Sequence, residues 1–240
     1  DLDITSGLRV YTTIDPKLQE KAEEIIKKQV ETNKKLYGVS SAALISMDNT
    51  SGKILSMVGG ADYFDIKNGW NNNMTLASRQ PGSSFKPFVY ATAISKNPIG
   101  GESPVGDTDT KFGSWDPDNY DGKFLWVMSV KNALSYSRNI PAWKMYFLAG
   151  QQDEIVSTMS RMWVNTLKKE KEYSYGWPLS LGAWEVRPIE LMQAYSVLAN
   201  NGIKKNVYSV SKIELSDGTI IEEQIDTPWV EVFSPAAAYI

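Results

Sequence analysis

The chain has 240 residues, of which 42% are hydrophobic and 22% charged, a composition typical of a soluble globular protein with one large domain or two small ones. Its net charge of −3 indicates no strongly basic surface and therefore no nucleic-acid partner. The absence of cysteine and histidine excludes thiolate nucleophiles, histidine-based triads and His/Cys zinc sites. Catalysis must therefore use Ser, Lys, Asp, Glu, Tyr or Asn, and we expect neither a cofactor nor a metal.

No apolar run is long enough to span a bilayer, and no signal-peptide pattern begins at Asp1. A cysteine-free chain is compatible with an exported protein that needs no disulfides. We expect the chain to be a piece of a longer protein that carries any membrane anchor outside these residues.

Residue periodicity predicts the elements of the first third of the chain. Asp15 followed by Pro16 is typical of a helix start. The turn residues 48–52 separate two strand-like runs and indicate a hairpin. The predicted elements are a strand (8–14), a helix that begins at Pro16 and ends by Gly38, two hairpin strands (41–47 and 53–58) and a polar surface segment (62–73).

The segment 79–88, with the sequence RQPGSSFKPF, combines a turn with the start of an apolar helix. Residues three apart share a helix face, so Ser83 and Lys86 can touch, whereas Ser84 points elsewhere. A serine hydroxyl needs an adjacent base, and a lysine desolvated among apolar side chains can serve as one. Ser83 is therefore the candidate nucleophile. The alternative interpretation is an N-capping serine followed by a solvated lysine.

A second polar motif, Ser137-Arg138-Asn139, lies about fifty residues further along the chain. Because Pro141 restricts Ile140 to extended geometry, we expect Ser137 and Asn139 to lie on a turn between two helices. The other predicted elements are a long loop (97–121), helices (143–148, 155–167 and 189–199), a charged surface cluster (168–171), a hairpin (207–215 and 219–224) and a helix start at Ser234.

These segments resemble the transpeptidase domain of class A (bifunctional) penicillin-binding proteins. Ser-x-x-Lys at Ser83 and Ser-x-Asn at Ser137 match two motifs of the serine penicillin-recognising enzymes. The segments that resemble the family, in its order, are 7–15, 42–60, 79–87, 137–142, 186–191 and 199–202. The resemblance implies an α/β (α+β) penicillin-binding/β-lactamase-like fold, with a mixed antiparallel sheet flanked by helices.

The resemblance also implies an enzyme, a serine D,D-transpeptidase or carboxypeptidase acting on peptidoglycan stem peptides that end in D-Ala-D-Ala. Ser83 would form the acyl-enzyme, with Lys86 as its base and Ser137 as a proton relay. Asn139 and Ser84 would contact the substrate, and the backbone N–H of Ser83 would donate to the oxyanion. The implied partners are stem peptides and β-lactams, and the implied location is the outer face of the bacterial cell membrane.

The third family motif, Lys-Thr-Gly, does not occur in the sequence. We expect residues 1–39 to be a linker region that leads into the transpeptidase domain. Residues 40–240 are then a transpeptidase domain that lacks the Lys-Thr-Gly segment. We expect either that the missing part has been lost or lies in a separate chain, or that these residues are only part of the domain. The fragment alone is expected to be weak or inactive.

Two other functions remain open. One is a penicillin sensor or catalytically silent cell-wall scaffold with the same fold. The other is a serine β-lactamase, which needs a deacylating glutamate; Glu185 lies near a family-like segment, and we expect a structural role for it. The bulky residues 125–128 and Trp184 indicate either packing or an altered substrate groove.

Overall fold

The structure is a computed structural model that describes residues 7–66, 71–111, 117–168, 173–225 and 229–239. The chain forms two compact units, Asp1–Ala77 with Lys205–Val230, and Ser78–Lys204 with Glu231–Ile240. The predicted boundary between residues 39 and 40 stays a prediction. The elements in chain order are β1 (Leu8–Thr12), α1 (Pro16–Tyr37), β2 (Leu44–Met47), β3 (Ile54–Val58), a 3₁₀ helix (Gly82–Phe85), α2 (Lys86–Lys96), β4 (Pro104–Asp107), β5 (Trp126–Ser129), α3 (Val130–Ser135), α4 (Asn139–Leu148), α5 (Gln151–Arg161), a further 3₁₀ helix (Trp177–Leu181), α6 (Pro188–Ala199), β6 (Ile203–Lys204), β7 (Val210–Leu215), β8 (Ile220–Glu223), β9 (Val230–Glu231) and α7 (Pro235–Ala238).

The first unit combines an antiparallel sheet of order β1-β7-β8, the antiparallel β2–β3 hairpin and helix α1. The Asp15 carboxylate accepts the backbone N–H groups of Lys17 and Leu18, which confirms the predicted start of α1. The helix packs its buried stripe against the end of β3. The small core of this unit consists of Ala22, Ile26, Val30, Val58 and Ala61.

The second unit is built around α2, most of which is buried against α4, α5, α7 and the 3₁₀ helix Trp177–Leu181. The side chains of Phe85, Phe88 and Val89 are all 0% exposed. An apolar surface on all sides is typical of a central helix. Its first residue, Lys86, is consequently enclosed by protein.

Three predictions for this unit were wrong. Ile140 is helical because α4 begins at Asn139; a proline in the first helical turn gives up an N–H that has no intrahelical partner anyway. The predicted loop 97–121 contains β4, which pairs with β5. The predicted helix 155–167 is α5, which ends at Arg161 because the backbone of Trp163 is left-handed (φ 64°).

Three further sequence predictions concern the start of α7, two surface segments and membrane-spanning helices. The Ser234 hydroxyl accepts the N–H of Ala237, as expected for the start of α7. The predicted surface segments 62–73 and 168–171 lie partly outside the described residues. None of the helices in the described ranges has the length and apolarity needed to cross a membrane.

Candidate active site

Ser83 and Lys86 lie where the 3₁₀ helix Gly82–Phe85 runs into α2, and the N–H of Lys86 donates to the carbonyl of Ser83. The serine is exposed, whereas Lys86 is only 1% exposed. The pair therefore combines an accessible hydroxyl with an ammonium group removed from water.

The Lys86 ammonium donates to the Ser137 carbonyl oxygen at 2.6 Å, the Ser137 hydroxyl at 3.1 Å and Oδ1 of Asn139 at 2.8 Å. These three acceptors are neutral. Burial lowers the pKa of Lys86 to about 8, and the positive charge of Arg138 acts in the same direction. The structure thus brings together three of the residues that the sequence singled out, and their catalytic roles stay predictions.

Ser137 lies on the turn between α3 and α4, as predicted, with a left-handed backbone (φ 53°). Asn139 is instead the first residue of α4. This arrangement directs both the carbonyl and the hydroxyl of Ser137 to one ammonium group.

Asn119, which the sequence did not single out, holds the start of α4. Its Oδ1 accepts the backbone N–H of Asn139 at 2.8 Å, and its Nδ2 donates to Asp107 at 2.7 Å. The side-chain Nδ2 of Asn139 donates to the carbonyl of Asp118 at 2.9 Å. Because these bonds fix both ends of the Asn139 side chain, its Oδ1 stays directed at Lys86.

Arg138 is the second buried cation and is 1% exposed. Its Nε donates to Asp107 at 2.8 Å, and a terminal nitrogen donates to Asp121 at 3.0 Å. A further bond reaches the carbonyl of Lys123. Hydrogen bonding to Arg138 lowers the pKa of Asp121. These contacts anchor the turn that carries Ser137 to β4 and the following loop.

Ser84 is exposed and is not part of the lysine cluster, which consists of Lys86, Ser137 and Asn139. Its hydroxyl donates to the Pro81 carbonyl at 2.6 Å, and its own carbonyl accepts the Tyr195 hydroxyl at 2.6 Å. The predicted contact of Ser84 with a substrate stays a prediction. Its observed contacts stabilise the turn that presents Ser83.

The segment before Ser83 is bound to residues about a hundred positions away. The N–H of Gly82 donates to Gly182 at 3.0 Å, and the backbones of Arg79 and Val186 exchange hydrogen bonds of 3.0 and 2.9 Å. Gly182 has a φ of 67°, and a Cβ there would lie 2.1 Å from the Gly82 carbonyl oxygen. Only glycine permits this close approach, so residue 182 helps to fix the nucleophile turn.

Within the described ranges, no group of three or more acidic side chains is placed to hold a metal ion. The polar groups that meet at Lys86 are instead its own ammonium, the Ser137 hydroxyl and the Asn139 amide. They can exchange protons and hydrogen-bond an amide substrate, the functions that acyl transfer needs.

Comparison with known proteins places the chain in a family. The model of the penicillin binding protein transpeptidase domain matches residues 42–238. Penicillin-binding protein 2D of Bacillus subtilis (strain 168) is 32% identical over 229 residues, covering 91% of this chain and 31% of that protein. Penicillin-binding protein 1A of Pseudomonas aeruginosa is 34% identical over 205 residues, covering 83% of this chain and 24% of that protein. The chain thus spans about a quarter to a third of these relatives.

Solved structures show the same fold. The penicillin-binding protein PonA1 from Mycobacterium tuberculosis superposes with a TM-score of 0.80 at 23% identity, covering 98% of this chain and 61% of that one. Penicillin-binding protein 1A from Haemophilus influenzae gives 0.78 at 19% identity, covering 92% and 47%. The expected penicillin-binding fold is confirmed. Because the family model covers most of the chain, this protein belongs to the penicillin-binding protein transpeptidase domain family.

Proposed function

We propose that the chain carries the acylation centre of a serine D,D-transpeptidase that cross-links peptidoglycan stem peptides. The observation that supports this most is Lys86, a buried lysine with a pKa of about 8 that begins the helix directly after the exposed Ser83 turn. A lysine with this pKa is partly neutral at pH 7 and can accept a proton from a hydroxyl.

In the proposed acylation step, neutral Lys86 takes the proton of the Ser83 hydroxyl. The serine oxygen forms a bond to the penultimate carbonyl carbon of a D-Ala-D-Ala stem, and the carbonyl becomes an oxyanion. The backbone N–H of Ser83, in the 3₁₀ helix that leads into α2, donates to that oxyanion, aided by the positive end of the helix. When the carbonyl re-forms, its bond to the leaving nitrogen breaks. Ser137 relays the proton from Lys86 to that nitrogen, and D-alanine departs.

In the second step, the amino group of another stem peptide attacks the acyl-enzyme and gives its proton to Lys86. The bond to Ser83 then breaks, the serine recovers a proton, and a new amide joins the two stems. Asn139 keeps Lys86 in place through Oδ1 and, with Ser84, contacts the substrate in this proposal. Peptidoglycan as substrate implies that the full-length protein works at the outer face of the bacterial cell membrane.

A labelled penicillin tests the proposal, because it would acylate the same serine; a structure of PonA1 in complex with penicillin V is among those with this fold. We expect a mass shift on the peptide that contains Ser83, and its loss in Ser83→Ala. Ser95→Ala, a serine at the other end of α2, is the matched control and should still be labelled. Absence of a shift in both this chain and the full-length protein contradicts the proposal.

The fate of the acyl group separates the remaining functions. Transfer to an added stem peptide supports the transpeptidase. A stable acyl-enzyme without stem-peptide turnover in the full-length protein supports the sensor or scaffold, and rapid release of hydrolysed penicillin supports the β-lactamase.

A further inference from the structure

A cavity of about 530 Å³ lies beside the turn that carries Ser83, on the side of the Gly82–Gly182 contact. Its walls include Gln80, Tyr173, Tyr175, Trp184 and Glu185. Its volume is within the range of about 300–1,000 Å³ found for small-ligand sites. Neither Lys86 nor Ser137 lines it, so it is distinct from the lysine cluster.

Three aromatic rings form a fixed corner of this cavity. The Tyr175 ring is stacked with Tyr173 at 6.1 Å and meets Trp184 edge-on at 5.0 Å. The indole N–H of Trp184 donates to the Tyr175 carbonyl at 3.0 Å, while Gln152 accepts the N–H of Tyr175 at 2.8 Å. Tyr173 and Trp184 remain 43% and 40% exposed. The rings are thus held in place while part of their surface is accessible to a ligand.

Glu185 adds a negative charge to the same wall. It is exposed, and no ion pair with it occurs among residues in the described ranges. A cavity lined by both a carboxylate and partly exposed Tyr and Trp rings attracts a cation through the carboxylate charge and the ring quadrupoles. An alkylammonium group suits this wall, because its carbon chain can also pack on the rings.

The cavity is tied to the nucleophile through the backbone. Residues 183–185, which line the cavity, lie between Gly182 and Val186. The backbones of these two residues are hydrogen-bonded to Gly82 and Arg79, respectively. Gln80, another wall residue, is three positions from Ser83, a distance of at most about 11 Å along the chain. A peptide attached to Ser83 is therefore within reach of this cavity.

We propose that this cavity is a subsite for a protonated primary amine on an aliphatic side chain of the substrate peptide, with Glu185 as its counter-charge and Trp184 as its aromatic wall. The identity of the ligand as part of a stem peptide rests on the proposed function. Binding of the amine itself requires no reaction at Ser83.

The test is direct binding of Nα-acetyl-lysine methylamide, followed by NMR or by the fluorescence of the chain. We expect saturable binding that weakens about tenfold when the probe's ε-amine is acetylated. Glu185→Gln and Trp184→Ala should each weaken binding at least about threefold. Glu102→Gln removes an exposed carboxylate outside the cavity and is the matched control. Circular dichroism checks the fold of each variant, and Trp184→Phe replaces Trp184→Ala if that variant unfolds.

Penicillin labelling of the wild-type chain at Ser83 is measured in parallel and separates the two proposals. Labelling without probe binding overturns the subsite and leaves the proposed function intact. The same holds if labelling occurs but the acetylated probe binds equally well and Glu185→Gln has no effect on binding. Probe binding that depends on Glu185, with no labelling in either this chain or the full-length protein, supports the subsite and contradicts the proposed function.

Discussion

Lys86 and Arg138 are both 1% exposed, yet their surroundings differ in one respect. Lys86 donates to neutral oxygens of Ser137 and Asn139, whereas Arg138 donates to the carboxylates of Asp107 and Asp121. A buried cation with neutral partners has a lowered pKa, while one with carboxylate partners keeps its charge. The same degree of burial therefore gives one residue an exchangeable proton and the other a structural role.

The two environments meet in the tripeptide Ser137-Arg138-Asn139. Its outer residues contact Lys86, and its central residue points to Asp107. Arg138 thus anchors the turn that positions Ser137 and Asn139 against Lys86. Its positive charge also lowers the pKa of Lys86. Four variants or conditions test this contrast.

The largest effect is expected from Lys86→Gln. Loss of a general base typically slows a reaction by about 10²–10⁴-fold, so penicillin acylation of Ser83 should slow by that factor. The measurement is the rate of label incorporation at pH 8. Lys96→Gln, at the exposed end of the same helix, should react like the wild type. Equal acylation rates for Lys86→Gln and Lys96→Gln would contradict the role of Lys86 as the base for Ser83.

Arg138→Met tests the structural cation. It leaves Asp107 buried without its charged partner, and breaking such a pair costs about 3–5 kcal/mol of unfolding free energy. Urea denaturation measures the loss. Arg161→Met, at the exposed end of α5, should change stability by at most about 0.5 kcal/mol. A loss below about 1 kcal/mol for Arg138→Met would contradict the assigned anchoring role.

Asn139→Asp gives Lys86 the kind of partner that Arg138 has. A carboxylate in contact with a lysine favours its charged form and should raise the pKa of Lys86 by about 1–3 units. Acylation at pH 7 should slow at least about tenfold, with its pH midpoint moved upward by the same number of units. Asn132→Asp adds the same charge at an exposed position on α3 and should leave the midpoint in place.

The smallest expected effect needs no substitution. Because neutral Lys86 is the reactive form, the acylation rate should rise with pH through a midpoint of about 8. At pH 7 about one tenth of the lysine is neutral, so the rate should increase about tenfold between pH 7 and pH 9.5. Since the folded-state pKa of about 8 lies below the unfolded value of about 10.4, the contribution of Lys86 to stability rises as the pH rises between these two values. A rate that is flat from pH 7 to 9.5 would contradict the lowered pKa.

The sequence predicted those parts of the site that depend on short spacings. The lysine of the Ser83 motif and the turn at Ser137 come from local motifs, and the structure brings Lys86 and Ser137 into hydrogen-bond contact. The contact predicted between Ser83 and Lys86 from their spacing stays a prediction. The helix containing Asn139 was missed because proline was weighed as a restriction on Ile140, although a first helical turn tolerates it.

The supporting contacts were out of reach of local patterns. Asp107 and Asn119 come from a segment without periodicity, and they act on α4 only through the folded β4–β5 pair and its loop. Gly182 gave no local indication that it would meet Gly82, since the two are a hundred residues apart. Long-range polar contacts of this kind depend on the tertiary fold, which single-sequence patterns do not encode.

At position 137 the residue that best suits the backbone differs from the residue that the proposed chemistry needs. A non-glycine residue in a sparsely populated conformation costs about 1–3 kcal/mol, which glycine would recover. Glycine would also remove the hydroxyl 3.1 Å from the lysine nitrogen. In a randomised library, selection for solubility or heat resistance alone should therefore enrich glycine at position 137, whereas selection for penicillin labelling should retain serine.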